Sequence, residues 1–192
     1  SITLTSATND FTGAVSLTNT GANNVQVTDA NALTLGTLSV AAGNLTAIST
    51  GALNLGTGTV GGNLSANSNT GAITQAAGGL TIGGTSTINA GASSITLTSA
   101  TNDFTGAVSL TASGTGVSVR DANALTLGAP SLGANTALTA IAGSTLTLPA
   151  TNISTGTGNI DLRSNGGSLT TAGDLSTTSG TITLVGSSGI SI

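Results

Sequence analysis

Among the 192 residues, the side chains that could do chemistry are six aspartates and two arginines, because the chain contains no His, Cys, Lys, Glu, Met, Trp or Tyr. The aspartates are Asp10, Asp29, Asp103, Asp121, Asp161 and Asp174. Two carboxylates about 5–9.5 Å apart can hydrolyse a glycosidic bond, and a pair such as Asp161 and Asp174 could meet across neighbouring turns. No His, Lys or Tyr is available to assist such a pair. We therefore expect the aspartates to cap turns, and we predict no catalytic residue and no enzyme activity.

Two identical turn sequences offer oxygen ligands that a calcium ion accepts. Asp10 ends the sequence TND at positions 8–10, and Asp103 ends the same sequence at positions 101–103. The Gly-Gly-x-Gly-x-Asp pattern of calcium-binding β-rolls is absent, and one carboxylate per turn makes a weak site. We predict no metal and no cofactor, with Asp10 and Asp103 as weak calcium candidates.

Charge and hydropathy exclude two classes of partner. The net charge is −4, and Arg120 and Arg163 stand alone in the sequence, whereas nucleic-acid binding needs clustered Lys and Arg. A membrane span needs roughly 18 continuous apolar residues, and the apolar runs here are short. We predict neither nucleic-acid binding nor membrane insertion. Arg120 is interpreted as a solvated surface residue, because its counterpart in the internal repeat is Thr28.

Thr-x-Thr sequences point to an alternative role in ice binding, because flat ladders of threonine on one face of a stacked fold can order water. Examples begin at Thr3, Thr85, Thr145 and Thr181. Their spacing along the chain is irregular, and Thr is also a favoured outward residue of strands. Ice binding therefore stays an alternative.

A long internal repeat is the strongest signal in the sequence. Residues 1–18, SITLTSATNDFTGAVSLT, are identical to residues 94–111, and residues 29–36 match residues 121–128. One residue is lost between these matches, so the offset changes from 93 to 92 residues. We predict one continuous segment over residues 1–192, duplicated as 1–93 and 94–192, with no independent domain boundary.

A finer period lies inside the long repeat. Apolar-polar-apolar triplets such as Ile2-Thr3-Leu4 recur about every 7–10 residues, separated by residues that favour turns. This alternation predicts short strands with one buried face, and no stretch has the apolar period of a helix. The sequence of residues 158–162 (GNIDL) is similar to that of residues 180–184 (GTITL), which lies 22 positions further along the chain. We predict an all-β fold, a β-solenoid with about 19–23 residues per coil whose strands pair in parallel with the next coil. Tandem β-sandwich repeats are the alternative.

The composition suits a stacked coil. Thr, Gly, Ser and Asn make up more than half of the residues, and 4% are charged. Stacked turns would align Asn, Ser and Thr into ladders. Hydroxyl groups that point outward would keep the surface hydrated. The two aromatic residues, Phe11 and Phe104, are predicted to be buried in the core. Both ends read as strand-like triplets without a cap, so we expect the segment to continue in a longer chain or to stack end to end on copies of itself.

Several phrases resemble the stalk repeats of filamentous haemagglutinin-like exoproteins, which are large bacterial surface adhesins of two-partner secretion systems: GAVSLTNTG, DANALTLG, GNIDLRSNGGSL and TTSGTITL. The resemblance covers nearly the whole chain. It implies a right-handed parallel β-helix, export through an outer-membrane transporter, and a secreted, extracellular location at the bacterial cell surface. The NPNG-type motif of that family's secretion domain is absent, so the resemblance is to the repetitive middle of such proteins.

The functional expectation is a structural repeat module of a secreted surface filament or adhesin. It would act as a stiff, protease-resistant rod or spacer in adhesion, in a biofilm matrix or in a cell-surface fibre. Its partners would be copies of itself or further coils of the same chain, and host or matrix glycans or proteins. An ice-binding or glycan-binding face is the alternative, followed by a carbohydrate-active β-helix enzyme.

Overall fold

The computed structural model describes residues 1–192, and its regular structure consists of β-strands alone. The strands pair in parallel and stack as a β-solenoid of about nine turns. This confirms the all-β solenoid prediction, and the tandem β-sandwich alternative was wrong. The structure has no helix of the length and apolarity needed to cross a membrane. The strands in chain order are β1 (Ile2–Leu4), β2 (Val15–Asn19), β3 (Val25–Asp29), β4 (Leu33–Val40), β5 (Leu45–Ser49), β6 (Leu53–Asn54), β7 (Thr57–Val60), β8 (Leu64–Asn67), β9 (Ile73–Thr74), β10 (Leu80–Ile82), β11 (Ser86–Asn89), β12 (Ile95–Leu97), β13 (Asp103–Phe104), β14 (Val108–Ala112), β15 (Gly116–Asp121), β16 (Leu125–Thr126), β17 (Ser131–Leu132), β18 (Ala137–Ala142), β19 (Leu146–Thr147), β20 (Ile153–Ser154), β21 (Ile160–Ser164), β22 (Leu169–Thr170), β23 (Leu175–Ser176), β24 (Ile182–Gly186) and β25 (Ile190–Ser191).

The strands form three faces, which the chain visits in the order face 1, face 2, face 3. Face 1 is the sheet β1-β3-β5-β8-β11-β14-β17, continued by β20 and β23. Face 2 is the first half of β4 followed by β6, β9, β12, β15, β18, β21 and β24. Face 3 is β2, the second half of β4, β7, β10 and β13, continued by β16, β19, β22 and β25. Strand β4 runs through the corner between faces 2 and 3, since residues 33–34 pair with β6 and residues 37–40 with β7.

The register of the strands gives the length of each turn. Paired residues are separated by as few as 19 positions, from Leu45 to Leu64, and by as many as 23, from Ile2 to Val25. This confirms the predicted 19–23 residues per coil. Because neighbouring strands lie about 4.8 Å apart, about nine turns make a rod about 43 Å long.

Alternation along each strand separates a narrow apolar interior from a polar surface. In β15, Val117, Val119 and Asp121 are buried, and the residues between them are partly exposed. Residues at paired positions stack in inward columns that run along the rod axis. The buried apolar residues form one continuous cluster of 38. Each turn is therefore stabilised mainly by the turns above and below it.

The two phenylalanines differ in burial although their neighbours in sequence are identical. Phe104 is 1% exposed and pairs with Ile82 in the preceding turn. Phe11 is only partly buried against the core, because no turn precedes it in this structure. The prediction of a core position is thus confirmed for Phe104 and wrong for Phe11.

The two copies of the long repeat lie on different faces. Four turns from Ile2 on face 1 lead, by strand pairing, to Ser86 on face 1. Ile95, the counterpart of Ile2, lies one face further on, in β12 of face 2. In the same way β2 on face 3 corresponds to β14 on face 1. The duplicated unit therefore amounts to four turns and one face, and the same sequence folds on either face.

Asparagines just before the face 1 strands form a ladder like the one that the composition predicts. Oδ1 of Asn24 accepts a hydrogen bond from the backbone N–H of Asn44 (3.1 Å). Oδ1 of Asn44 accepts one from Asn63 (2.8 Å), and Oδ1 of Asn63 accepts one from Thr85 (2.8 Å). Each bond joins one turn to the next and satisfies a backbone donor at a corner without using charge.

Gly58 in β7 has a φ of 121°, which favours glycine. A Cβ at this position would overlap the carbonyl oxygen of Leu38 in the preceding turn. We expect Gly58→Ala to lower the free energy of unfolding by about 2 kcal/mol, measured by urea denaturation followed by circular dichroism. Gly13→Ala is the matched control, because a Cβ on Gly13 meets no atom within 4 Å. An equal loss in both variants would contradict this explanation.

Ser86 interrupts an inward column that otherwise holds Val25, Leu45, Leu64 and Val108. It is 1% exposed, and its hydroxyl has no hydrogen-bond partner. Ser86→Val should raise the free energy of unfolding by about 1–2 kcal/mol, because it removes an unsatisfied polar group and adds apolar volume. Thr87→Val, on the exposed side of the same strand, should have little effect. A loss of stability in Ser86→Val would show that the column has no room for the larger side chain.

Candidate functional site

The sequence SATNDF forms a loop at residues 6–11 of the first copy, and at residues 99–104 of the second copy it forms a loop that leads into β13. The Nδ2 group of Asn102 donates a hydrogen bond to the carbonyl oxygen of Arg120 in the following turn (3.1 Å). Nδ2 of Asn9 makes the equivalent bond to Thr28 (3.1 Å). The asparagine of each loop therefore links it to the next turn.

A buried carboxylate in the following turn holds each of these loops. Asp121 is 1% exposed and accepts hydrogen bonds from the backbone N–H groups of Phe104 and Asn123 (2.6 Å each). Asp29, which is 0% exposed, accepts the equivalent bond from Phe11 (2.8 Å). Both aspartates thus have the turn-capping role that the sequence predicts, and both also connect successive turns.

The environment of Asp121 changes its acidity. Burial raises the pKa of the Asp121 carboxyl above its ordinary value of 3.8, the hydrogen bonds from Phe104 and Asn123 oppose this rise, and repulsion from the Asp103 carboxylate adds to it. A carboxyl with a raised pKa is one mark of a catalytic acid. Asp121 is nevertheless closed to a substrate, because it is buried and both of its oxygens already accept hydrogen bonds. In this structure the Asp121 carboxyl acts as a buried hydrogen-bond acceptor that joins two turns.

The weak calcium candidates lie near the surface. Asp10 is exposed, and Asp103 is partly buried. The carboxylate of Asp121, whose two oxygens already accept hydrogen bonds, lies near Asp103. The structure contains no group of three or more His, Cys, Asp or Glu side chains that could hold a metal ion. Neither Asp10 nor Asp103 is therefore surrounded by a set of acidic ligands.

Asp161 and Asp174 lie on different faces of the solenoid. Asp161 points outward from β21 on face 2, and the exposed Asp174 directly precedes β23 on face 1. The Asp161 carboxylate instead accepts a bidentate pair of hydrogen bonds from Arg163, from Nε to Oδ1 (2.8 Å) and from Nη2 to Oδ2 (2.9 Å). These bonds and the opposite charge raise the pKa of the Arg163 guanidinium. The expectation that the two carboxylates could meet across turns was wrong, because the chain passes along face 3, through β22, between them.

Each face has an outward row rich in hydroxyl groups. Strand register aligns the row of face 1, which consists of Thr3, Gln26, Thr46, Ser65, Thr87 and Ser109. The later turns of face 3 align Thr126, Thr147, Thr170 and Ser191. These rows give the solenoid a polar surface with few charges, as the composition predicts.

The four Thr-x-Thr sequences that were quoted as examples are distributed over all three faces. Those that begin at Thr3 and Thr85 belong to face 1, the one at Thr145 enters β19 on face 3, and the one at Thr181 enters β24 on face 2. They consequently form no common plane. The second outward row of face 2 contains arginine and apolar residues instead of hydroxyls.

Both cations of the chain lie in that second row of face 2. Strand register places Arg120 next to Ile141, and Ile141 next to Arg163. The two guanidinium-bearing residues are thus two turns apart, about 9.6 Å along the axis. Arg163 is engaged by Asp161, whereas Arg120 forms no ion pair. The row is a narrow strip in which cationic and apolar side chains alternate.

A shallow groove of 420 Å³ lies between the loop at residues 74–78 and the strand and loop at residues 96–99. Its polar groups are mainly the hydroxyls of Thr74, Thr96, Thr98 and Ser99. Beside it, the amide of Gln75 exchanges two hydrogen bonds with the amide of Asn102 (2.8 and 2.9 Å). The groove has no charged or aromatic side chain, so it offers weak polar contacts and no general acid or base.

The family model described as repeats of unknown function (DUF5649) matches residues 1–18, 22–53 and 42–111, which together exceed half of the chain. The chain belongs to this family. No curated protein matches the chain, and no solved structure matches it. The family assignment agrees with the stacked turns, since each matched range covers strands that pair between neighbouring turns.

The matched family repeats include both SATNDF loops and the buried Phe104, but they end before Arg120 and Arg163. The turn architecture is therefore what the family model describes, and the arginine row lies in the later part of the chain.

Sequence reasoning missed the hydroxyls that fill the inward corners. Ser49 and Ser68 donate hydrogen bonds to the carbonyl oxygens of Gly51 and Gly71. A signal for these serines was present in the sequence. Each serine takes the next inward position after alternating apolar residues, and a turn that contains glycine follows it directly. Gln75 carried no comparable signal, because its partner Asn102 lies 27 positions further along the chain.

Proposed function

We propose that this chain is a structural repeat module of a secreted bacterial surface filament or adhesin, in which it acts as a stiff, protease-resistant rod or spacer. The observation that supports this role is the parallel pairing of strands through about nine turns. Each turn needs only its neighbours, so such a rod can lengthen by duplication of turns. The sequence repeat of 92–93 residues is one such duplication.

The surface and the interior both suit a spacer. Many of the polar groups at the corners are used in bonds between turns, as in the asparagine ladder and the SATNDF loops. The outward rows consist mainly of hydroxyl groups, which interact with water without attracting a charged partner. The groove is lined by uncharged side chains, and the buried Asp121 already accepts a hydrogen bond at each carboxylate oxygen.

The extracellular location, the outer-membrane transporter and the adhesin context belong to the same proposal. They rest on the resemblance of the turn sequences to the stalk repeats of filamentous haemagglutinin-like exoproteins. The lack of cysteine supports export, because a chain that crosses a membrane unfolded then forms no stray disulfides. Glycans or proteins of a host or a matrix would be its partners there.

Trypsin digestion tests the rod directly, because Arg120 and Arg163 are its only target residues. Arg120 lies in β15 between β12 and β18, and Arg163 lies in β21 between β18 and β24. We expect the folded chain to be cut at least about 100-fold more slowly than a synthetic peptide of residues 116–125, because cleavage requires local opening. Similar rates for chain and peptide would reject the rod.

The arginine row on face 2 favours a second candidate function, the binding of a carboxylated or sulfated polysaccharide. Guanidinium groups form bidentate hydrogen bonds with such anions, and Arg120 has no ion-pair partner in the chain. Arg120→Gln should remove binding to immobilised alginate or heparin, and Arg163→Gln should weaken it less because Asp161 already engages that side chain. Equal binding to neutral dextran, or no binding at low salt, would eliminate this candidate.

A further inference from the structure

Three asparagines of face 1 begin the sequence Asn-x-Ser/Thr, with x other than proline, which is the acceptor sequence for N-linked glycosylation. They are Asn44, Asn63 and Asn152. No other asparagine of the chain has Ser or Thr two positions later. Each of the three directly precedes a face 1 strand, namely β5, β8 or β20. All the acceptor asparagines therefore occupy the same corner of the solenoid, and two of them belong to the asparagine ladder.

The alternation of the face 1 strands explains how the acceptor sequence arises at this corner. The residue after each asparagine points inward and is 0–2% exposed: Leu45, Leu64 and Ile153. The residue after that one points outward and carries a hydroxyl group: Thr46, Ser65 and Ser154. The amide and the hydroxyl of each acceptor sequence thus both lie on the outer surface, with one buried residue between them.

Each acceptor amide uses its oxygen between turns and leaves its nitrogen free. Oδ1 of Asn44 and of Asn63 accepts the ladder bonds, and Oδ1 of Asn152 accepts a hydrogen bond from the N–H of Asp174 (3.1 Å). Nδ2 of these exposed asparagines donates no hydrogen bond within the chain. Nδ2 of Asn102, by contrast, donates to two backbone carbonyl groups. A sugar on the free Nδ2 atoms would therefore leave the bonds between turns in place.

We propose that Asn44, Asn63 and Asn152 are N-glycosylation sites, to which a glycosyltransferase adds a sugar from a donor that carries a diphosphate on its anomeric carbon. The bond between Nδ2 and the anomeric carbon forms, and the bond between that carbon and the phosphate oxygen breaks. The diphosphate leaves with the bonding electron pair, and Nδ2 gives one proton to a base of the transferase. This modification goes beyond the proposed spacer role, because a chain that failed as a spacer could still carry the sugars.

The sugars are added before the turns stack. The backbone N–H of the middle residue of each acceptor sequence donates to the following turn: Leu45 to Asn63 (2.9 Å), Leu64 to Thr85 (2.9 Å) and Ile153 to Asp174 (2.8 Å). A transferase that encloses the acceptor sequence in its active site would have to break this bond and expose a buried apolar side chain. The unfolded chain is therefore the better substrate, and the corner accommodates the sugar once the chain has folded.

The test is mass spectrometry of the chain isolated from the cells that produce it, first intact and then as peptides. We expect a mass above that of the polypeptide, with sugar on the three acceptor asparagines alone. Thr46→Val should abolish the modification of Asn44, because it removes the outward hydroxyl, which makes no hydrogen bond in the fold, and leaves the ladder unchanged. Gln26→Thr is the matched gain. Asn24 is an exposed member of the same ladder, and a threonine at position 26 completes its acceptor sequence, so sugar should appear there.

Two incubations identify the donor and the order of events. A synthetic peptide of residues 40–50 and the folded, unmodified chain are each supplied with UDP-glucose and a soluble asparagine glycosyltransferase, or with a lipid-linked oligosaccharide diphosphate and a membrane-bound one. The arm that modifies the peptide gives the donor class. In that arm the folded chain should react at least about 10-fold more slowly, because the site must first open.

The proposal is overturned if the isolated chain has the mass of the bare polypeptide, if Thr46→Val retains sugar on Asn44, or if Gln26→Thr gains none on Asn24. Equal rates for the peptide and the folded chain would reject addition before stacking. A chain that carries no sugar and still resists trypsin would reject glycosylation and leave the proposed rod intact.

Discussion

Phe104→Ala is expected to lower the free energy of unfolding by about 3–5 kcal/mol, because it removes the largest buried side chain of a narrow core and leaves a cavity. The neighbouring turns are fixed by strand pairing on both sides, at Ile82 before Phe104 and in the turn that carries Asp121. They therefore cannot collapse freely into the space. Urea denaturation followed by far-UV circular dichroism measures the loss, since the chain has no Trp or Tyr for fluorescence.

Phe11→Ala is the matched control for this prediction. Its local sequence is identical to that of Phe104, but its ring is only partly buried at the edge of the first turn, so we expect less than half the effect. Equal losses would show that the preceding turn contributes little to the packing of Phe104.

Asp121→Ala should lower the free energy of unfolding by about 2–4 kcal/mol, because it leaves the backbone N–H groups of Phe104 and Asn123 without an acceptor in the interior. Hydrogen exchange should rise first in the SATNDF loop at residues 99–104, which these bonds hold against the next turn. Asp10→Ala, at an exposed carboxylate in the equivalent loop of the first copy, should have little effect.

The effect of Asp121→Ala should also depend on pH. The pKa of Asp121 is raised in the folded chain, so the folded state holds this proton more tightly than the unfolded state. The contribution of Asp121 to stability is then fully present below the ordinary value of 3.8 and decreases as the pH rises through the folded pKa. The loss in Asp121→Ala should be larger at pH 3 than at pH 7. A loss that grows with rising pH would contradict the raised pKa.

The fold could be predicted from the sequence because its main signal is local. Triplets such as Ile2-Thr3-Leu4 alternate with the period of a strand, and the return of residues 158–162 at 180–184 predicts the spacing of turns. Turn residues between the triplets predict the corners and the asparagine ladder. These features depend on a few neighbouring residues and on the next turn alone.

The positions that were missed depend on the arrangement of distant turns. The partial exposure of Phe11 depends on the absence of a covering turn. The alignment of Arg120 with Arg163 depends on the lengths of two intervening turns, which vary between 19 and 23 residues and are not encoded in any one motif. The raised pKa of Asp121 likewise reflects burial at a corner together with a carboxylate 18 positions away.

Because each duplicated unit contains one face more than four full turns, equivalent side chains of successive units point in different directions around the rod axis. A side chain that is encoded once per unit points to a different azimuth in each copy, as Ile2-Thr3-Leu4 and its counterpart at residues 95–97 do on faces 1 and 2. Three consecutive units would display it on all three sides and a fourth would return it to the first. A contact residue carried by the unit would therefore act equally well whichever way the rod is turned about its long axis.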